Sequence, residues 1–356
     1  MLKLGKFYRI AISIILLLLI IFLLSKVHFI FTPFLAAFNV VFIPLLASVF
    51  FYYLLRPLVN KLHHWKMNKA AAILLIYGVM TGLIVGFFFI VWPTLQSQIT
   101  GFINNTPQLI KDLMDQLNKS QINELVQSIS VEPAQIYEKI SEYLTQGLNA
   151  ITNSITNAVS IVTNVVIVIT TIPLLLYYLL KEDKRAYSAF LKSIPKRYRE
   201  ETRETLKQID HVLSGFILGR VTLCFLLGVI VYIGFLIIGL PYSLLLASIV
   251  AILNIIPYIG SILGTIPALI IGFIESPMMA VWVLIIVLLA NQIEGNLLSP
   301  HIYGRSLNIH PFTTILLLLA SGTIGGILGI LIVIPVYLII KIIITKVIAH
   351  YVVIDS

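Results

Sequence analysis

Apolar residues run along this chain in blocks long enough to cross a bilayer, separated by shorter polar stretches. A helix needs about 20 apolar residues to span the hydrocarbon. Residues 10–24 form the first block, behind Lys3, Lys6 and Arg9. That flank resembles a signal peptide, but no clear small-residue cleavage pattern follows, so the block reads as an uncleaved first helix. Further blocks cover 29–55, which Pro33 and Pro44 are expected to bend, then 70–92, 151–180 and 216–240. Beyond them the pattern becomes irregular. Residues 241–273 are apolar but interrupted by Asn254, Pro257, Gly260, Gly264 and Pro267. Residues 278–293 follow, and 311–347 are cut by Ser321, Gly322, Gly325, Gly326 and Gly329.

Interrupted helices are costly in lipid, which cannot satisfy free N–H and C=O groups, and they are tolerated where backbone is buried in protein or lines a cavity. Paired interruptions point to a transporter's binding site. Each half of 241–273 is marginal for a full crossing, and 311–320 is too short for one, so two hairpins dipping into the membrane are expected. Close helix packing through glycine is the other reading of such residues. Gly78, Gly82 and Gly86 in the third block, and Gly215 and Gly219 before the fifth, show that spacing.

The polar segment 96–150 is patterned too. Ile110, Leu113, Met114 and Leu117 fall on one helical face, as do Ile122, Leu125, Val126 and Ile129, and again Ile136, Ile140, Tyr143 and Leu144. These are expected to be amphipathic helices that pack on one another or on the membrane, or that cover a pathway. Residues 181–210 read as a charged, solvated helix pair, with lipid headgroups as the other contact.

Composition agrees with a membrane solvent. Of 356 residues, 59% are hydrophobic and 11% charged, and mean hydropathy is +1.02. A soluble enzyme or a disordered chain does not carry this balance. The net charge of +9 reads as topology rather than nucleic-acid binding, because Lys and Arg collect on the cytoplasmic side. Residues 1–9, 56–69 and 181–210 hold three, four and nine basic residues, whereas 96–150 holds three lysines against six acids. The first three stretches and the C-terminus, with Lys341 and Lys346, are expected inside, and 96–150 outside. Cys224 is the lone cysteine, which rules out a disulfide within the chain and a thiolate metal site.

The chemistry-bearing cluster is Asn291, Gln292, Glu294 and Asn296, at the end of an apolar run. An ionisable group in or near a span marks function by default. Glu294 is a candidate for a proton or cation with Asn and Gln oxygens as partners, or it pairs with Arg305 or another base. Arg220 is expected to snorkel to the interface. His310 reads as part of a helix start, and Glu275 as a solvated turn. No zincin, nucleophile-elbow or Walker sequence occurs. The chain is therefore read as a non-enzyme with no cofactor and no metal or catalytic residues, and any transport as gradient-driven.

The run Pro257-x-x-Gly260-x-x-x-Gly264-x-x-Pro267-Ala268 resembles the autoinducer-2 exporter family of bacterial membrane proteins. Asn291-Gln292-x-Glu294-x-Asn296-x-x-x-Pro300-x-x-x-Gly304 with His310-Pro311, the Gly322, Gly326, Gly329 and Pro335 series, and Asp210-x-x-Leu213-x-Gly215-Phe216-Ile217-x-Gly219 carry the same resemblance. Arg220 departs from it, since Gln is frequent there. The resemblance implies a bacterial inner-membrane protein of about seven to eight spans, forming homo-oligomers. It also implies export of autoinducer-2 in some members and sodium or lithium/proton antiport in others.

The resulting expectation is an all-α polytopic membrane protein with broken or re-entrant hairpins and cytoplasmic termini. Its parts would be N-terminal spans (1–95), an extracytoplasmic helical segment (96–150), a span (151–180), a charged cytoplasmic segment (181–215) and a C-terminal core (216–356). The expected function is a permease for a small polar solute, with antiport and a non-transporting scaffold as alternatives. Its pathway would be built from Asn254, Pro257, Gly260, Gly264, Pro267, Asn291, Gln292, Glu294, Asn296, Gly322 and Gly326. Its partners would be membrane lipid, a small-molecule or cation substrate and further copies of itself, and not nucleic acid.

Overall fold

The computed structural model describes residues 28–119, 166–303 and 309–354, with isolated positions at 12, 14–16, 18, 19 and 146. Every regular element among the described residues is helical. In chain order these are α1 (His28–His64), α2 (Lys69–Ile90), α3 (Trp92–Lys119), α4 (Val166–Lys192) and, after a 3-10 turn at Lys196–Tyr198, α5 (Arg199–Ile237). Then come α6 (Ser243–Leu253), α7 (Ile259–Glu275), α8 (Pro277–Ile293), a π turn at Glu294–Leu298, α9 (Ser299–Tyr303) and α10 (Pro311–Ile354). Among the described residues, five helices are long and apolar enough to cross a bilayer, and Ser243–Leu253, Ile259–Glu275 and Pro311–Gly326 are shorter apolar helices. The protein is an all-α polytopic membrane protein. The expected first helix at 10–24 lies largely outside the described residues, and 151–165 with the amphipathic repeats at 122–129 and 136–144 lie outside them entirely.

The chain forms two compact units. One comprises Met1–Tyr52 and Val166–Leu180, and the other Tyr53–Val165 and Lys181–Ser356. In the first, the buried Ser48 hydroxyl donates to the Pro44 carbonyl at 2.7 Å and to the Ile172 carbonyl of α4 at 3.2 Å. α1 runs on through Pro33 and Pro44, where bends were expected. A proline in a membrane helix removes one N–H, and helices tolerate this where hydroxyls and neighbours take up the freed carbonyls.

The second unit holds the core. Within it α5, α6, α7 and α8 pack consecutively against one another. Short joints reverse the chain each time, and the joint between α7 and α8 is the single residue Ser276, whose hydroxyl accepts from Met279 N at 3.1 Å ahead of Pro277. Leu227, Val231 and Phe235 of α5, Leu246 and Val250 of α6, Ala268 and Ile271 of α7, and Val283 and Val287 of α8 form one buried cluster. Gly264 lets α7 approach α6 closely: a Cβ there would sit 2.6 Å from the Val250 Cα. A Cβ at Gly260 would overlap the Leu253 carbonyl. Pro267 is buried inside α7 and does not interrupt it.

α5 is one helix from the charged segment into the membrane, so the span expected to begin at 216 has no start there. Glu, Arg and Lys are good helix formers, and Glu200 and Glu201 sit in the first turn, where carboxylates favour the dipole. The charged segment is otherwise the end of α4, kinked at Glu182.

Two layers mark the ends of α5. At its start, Lys346 of α10 lies 3.6 Å from Glu204, Arg56 of α1 pairs with Asp210 at 2.6 Å, and Lys69 pairs with Asp183 at 2.6 Å. At its far end α3 crosses the core. There Phe102 is buried, Gln98 Oε1 accepts from Leu245 N at 2.9 Å, and Asn105 donates to the Tyr242 hydroxyl at 2.9 Å. Counted along α5 at 1.5 Å per residue, Arg220 lies about 15 Å from Asp210, about 24 Å from Glu204 and about 25 Å from the far end of the helix.

Candidate functional site

The two interruptions become two helical hairpins. In the first, α6 descends from the α3 layer, turns at 254–258 beside Arg220, and α7 returns. The 11 residues of α6 rise about 16 Å, half the hydrocarbon thickness. In the second, α10 turns at Gly326, whose φ of +56° and ψ of −142° break the helix and suit glycine. A Cβ on Gly329 would overlap the Ser321 carbonyl, and Gly322 faces Ile330. The outgoing arm reaches the Lys346–Glu204 layer, so the hairpins enter from opposite ends. Ile256 and Ile259 of the first pack against Leu318, Ile334 and Leu338 of the second.

Where the hairpins meet, a cavity of about 690 Å³ opens. Its walls are Phe216 and Arg220 of α5, Asn254, Pro257 and Tyr258 of the first turn, and Ser261 and Ile262 of α7. Asn291 and Glu294, then Gly295, Ser299, Pro300 and Tyr303 continue from α8 into α9, and Ile309, Thr314 and Ile334 complete the lining. Tyr258 holds a positive φ of 66°, a conformation that costs a non-glycine residue about 1–3 kcal/mol and collects at functional segments. The π turn starting at Glu294 is of the kind that also gathers at such sites.

The charged centre of this cavity is Arg220 with Glu294. The Arg220 Nη1 is 3.4 Å from Glu294 Oε1, and the two side chains are 9% and 12% exposed. The expected snorkelling of Arg220 is corrected here. Because α5 begins 21 residues earlier, at Arg199, Arg220 lies deep and turns inward to a carboxylate. The guanidinium also donates to the Asn254 and Ile255 carbonyls, capping the orphan C=O groups at the end of α6. Asn254, 2% exposed, donates through Nδ2 to both Glu294 oxygens at 3.1 and 3.2 Å. Three elements are thus tied at one point. The Tyr303 hydroxyl faces the same guanidinium, and its ring stacks on Phe216 with centroids 6.5 Å apart.

Of the residues expected to build a pathway, Asn254, Pro257, Asn291 and Glu294 line the cavity. Gly260, Gly264 and Pro267 are buried behind it and set the α6–α7 spacing. Gln292 is turned to Asn296, whose Nδ2 donates to its Oε1 at 2.8 Å. Gly322 and Gly326 shape the second hairpin turn. Arg305 lies outside the described residues. His310 accepts from Phe312 N at 3.3 Å and caps α10, and Glu275 is exposed at the α7 end. Sequence reasoning did not assign Arg220, Ser261, Ser299, Tyr303 and Thr314 to the site. Arg220 alone carried a signal, since a charge in an apolar run needs a partner.

Comparison with known proteins places this chain among membrane transporters. A family described as "AI-2E family transporter" matches residues 8–349. "Putative transport protein YueF" of Bacillus subtilis (strain 168) is 37% identical over 341 residues, covering 95% of this chain and 92% of that protein. "Putative transport protein YrrI" of the same organism is 31% identical, covering 92% of each. "Putative permease PerM" of Escherichia coli (strain K12) is 27% identical, covering 84% of this chain and 85% of that protein.

Proposed function

The chain belongs to the AI-2E transporter family, and from that premise we propose that it is a gradient-driven permease exporting a small polar solute, autoinducer-2 among the candidates. The observation that carries this reading is the cavity between two opposed hairpins. Its volume suits a small molecule, and amide, hydroxyl and charged groups converge on it between the two end layers of α5. The hairpin turns, at 254–258 and at Gly326, are the parts that would move, because the helices are broken there.

A bacterial inner-membrane location with cytoplasmic termini belongs to the same proposal. Charge supports it, and so do the ion pairs. Arg56, Lys69 and Lys346 come from segments expected inside, and each pairs with an acid of 181–210. The domain parts at 1–95, 96–150, 151–180, 181–215 and 216–356 are proposed with it as functional rather than structural divisions. Self-association is proposed as well. A Cβ on Gly78, Gly82 or Gly86 meets no described atom within 4 Å, and such a small-residue stripe suits close packing against another copy. Gly82→Leu should then lower the oligomer fraction in native mass spectrometry, and an unchanged distribution rejects this face.

Sodium or lithium/proton exchange is the second reading, favoured by the placement of Glu294 in the cavity against an amide. One experiment separates the readings. Autoinducer-2 release from cells and sodium-dependent proton movement in inside-out vesicles are measured for wild type and Glu294→Gln. Solute export predicts release that falls about tenfold in the variant, the loss of one hydrogen-bonded group, with no sodium-dependent proton signal in either protein. A sodium-dependent signal abolished in the variant replaces export with antiport. A variant indistinguishable from wild type in both assays leaves a scaffold.

A further inference from the structure

The oxygens around Arg220 form a set that suits a monovalent cation. Glu294 Oε1 and Asn254 Oδ1 are each 3.4 Å from guanidinium nitrogens, the Ile255 carbonyl is at 3.3 Å, and the Asn254 carbonyl completes the group. This is one carboxylate, one amide oxygen and two main-chain carbonyls, all hard donors with a single formal negative charge. The carbonyls belong to the C-terminal end of a short broken helix, where the dipole is negative. Unwound carbonyls and such helix ends are where transporters coordinate sodium. The group is also largely buried, since Asn254 is 2% and Arg220 8% exposed. A guanidinium has donors only and cannot itself be deprotonated in a protein.

We infer that Arg220 is a tethered cation occupying a monovalent-cation site formed by Glu294, Asn254 and the α6 end. The guanidinium supplies permanently the charge that a dissolved ion would otherwise bring. It holds the first hairpin turn against α8 without sodium, and it leaves the wild-type protein no sodium site at Glu294. Removing the guanidinium while keeping the oxygens uncovers that site. An ordinary buried ion pair carries no such expectation, because its remaining carboxylate would be satisfied by a proton. This inference excludes sodium exchange at Glu294 in the wild-type protein, and its test uses no organic solute.

The test compares wild type, Arg220→Gln, Arg220→Lys and the double variant Arg220→Gln/Glu294→Gln. All are purified and placed in lipid nanodiscs with sodium, lithium or choline chloride, and thermal unfolding and bound ²²Na are read. Wild type and Arg220→Lys are expected to melt alike in all three salts and to bind no sodium at this site. Arg220→Gln is expected to bind about one sodium per chain and to melt about 5 °C higher in saturating sodium or lithium than in choline. The double variant is expected to lose both responses. Folded Arg220→Gln that ignores sodium and lithium overturns the inference, as does sodium binding by wild type that Glu294→Gln abolishes. If Arg220→Gln does not fold in any salt, Arg220→Lys decides. A stable, salt-indifferent Lys variant upholds a tethered charge, and a Lys variant that fails equally shows that guanidinium geometry, not charge, is what the site needs.

Discussion

Replacing Glu294 with Leu is expected to cost about 3–5 kcal/mol of stability, because it strands the Arg220 charge away from water. The same change removes the acceptor for the Asn254 side chain, leaving a buried amide short of a partner. Adding Arg220→Met in that background should recover most of the loss, since exchanging a whole buried pair for apolar groups is often near neutral. The recovery would be incomplete, because Arg220 also caps the α6 carbonyls. Thermal unfolding of the four proteins of this double-mutant cycle in nanodiscs measures the coupling. A double variant no more stable than Glu294→Leu would show that the two residues do not act as a pair.

Gly260→Val is expected to be as damaging for a different reason. Its Cβ would overlap the Leu253 carbonyl, and the next nearest atoms are the Leu253 carbonyl carbon and the Asn254 Cα, all main chain. Backbone cannot rotate away as a side chain can, so the first hairpin must open. A loss of about 3 kcal/mol or more follows from overpacking of this kind, with transport falling alongside because Asn254 and Tyr258 move with the turn. Gly295→Ala is the control. It lies on the same cavity, but a Cβ there meets no described atom within 4 Å, so it should unfold like wild type. A Gly260→Val protein that melts normally would mean that the hairpin is not packed as described.

The hairpins were legible in the sequence because their cause is local. Pro257 with Gly260, and the glycines from Gly322 to Gly329, interrupt apolar runs that lipid would otherwise keep helical. Glu294 stood out for the same kind of reason, as a lone carboxylate closing an apolar stretch. The role of Arg220 was hidden by the apparent start of its span. Polar residues before 216 read as a separate solvated helix pair, although they are strong helix formers continuing the same rod, and this moved Arg220 from an interface to the interior. Its partner is 74 residues away, a separation that periodicity does not report. Gly78, Gly82 and Gly86 mark a different boundary of what spacing tells. Their spacing reads as close packing, yet no described part of this chain packs there, since spacing marks a small-residue face but not what covers it.

The separation of Arg220 from Glu294 also fixes an order of events during biosynthesis. The ribosome delivers Arg220 well before the carboxylate that neutralises it. At about 5–20 residues per second, the 74-residue interval lasts about 4–15 s. Through that time α5 carries an unmatched cation, and α6 and α7 emerge ahead of the α8 on which α7 packs. Nascent chains halted before residue 294 should therefore resist stable integration of α5 in its final position, while chains released beyond 303 lock it. The last helices of the protein are in this sense the assembly factor for the ones made before them.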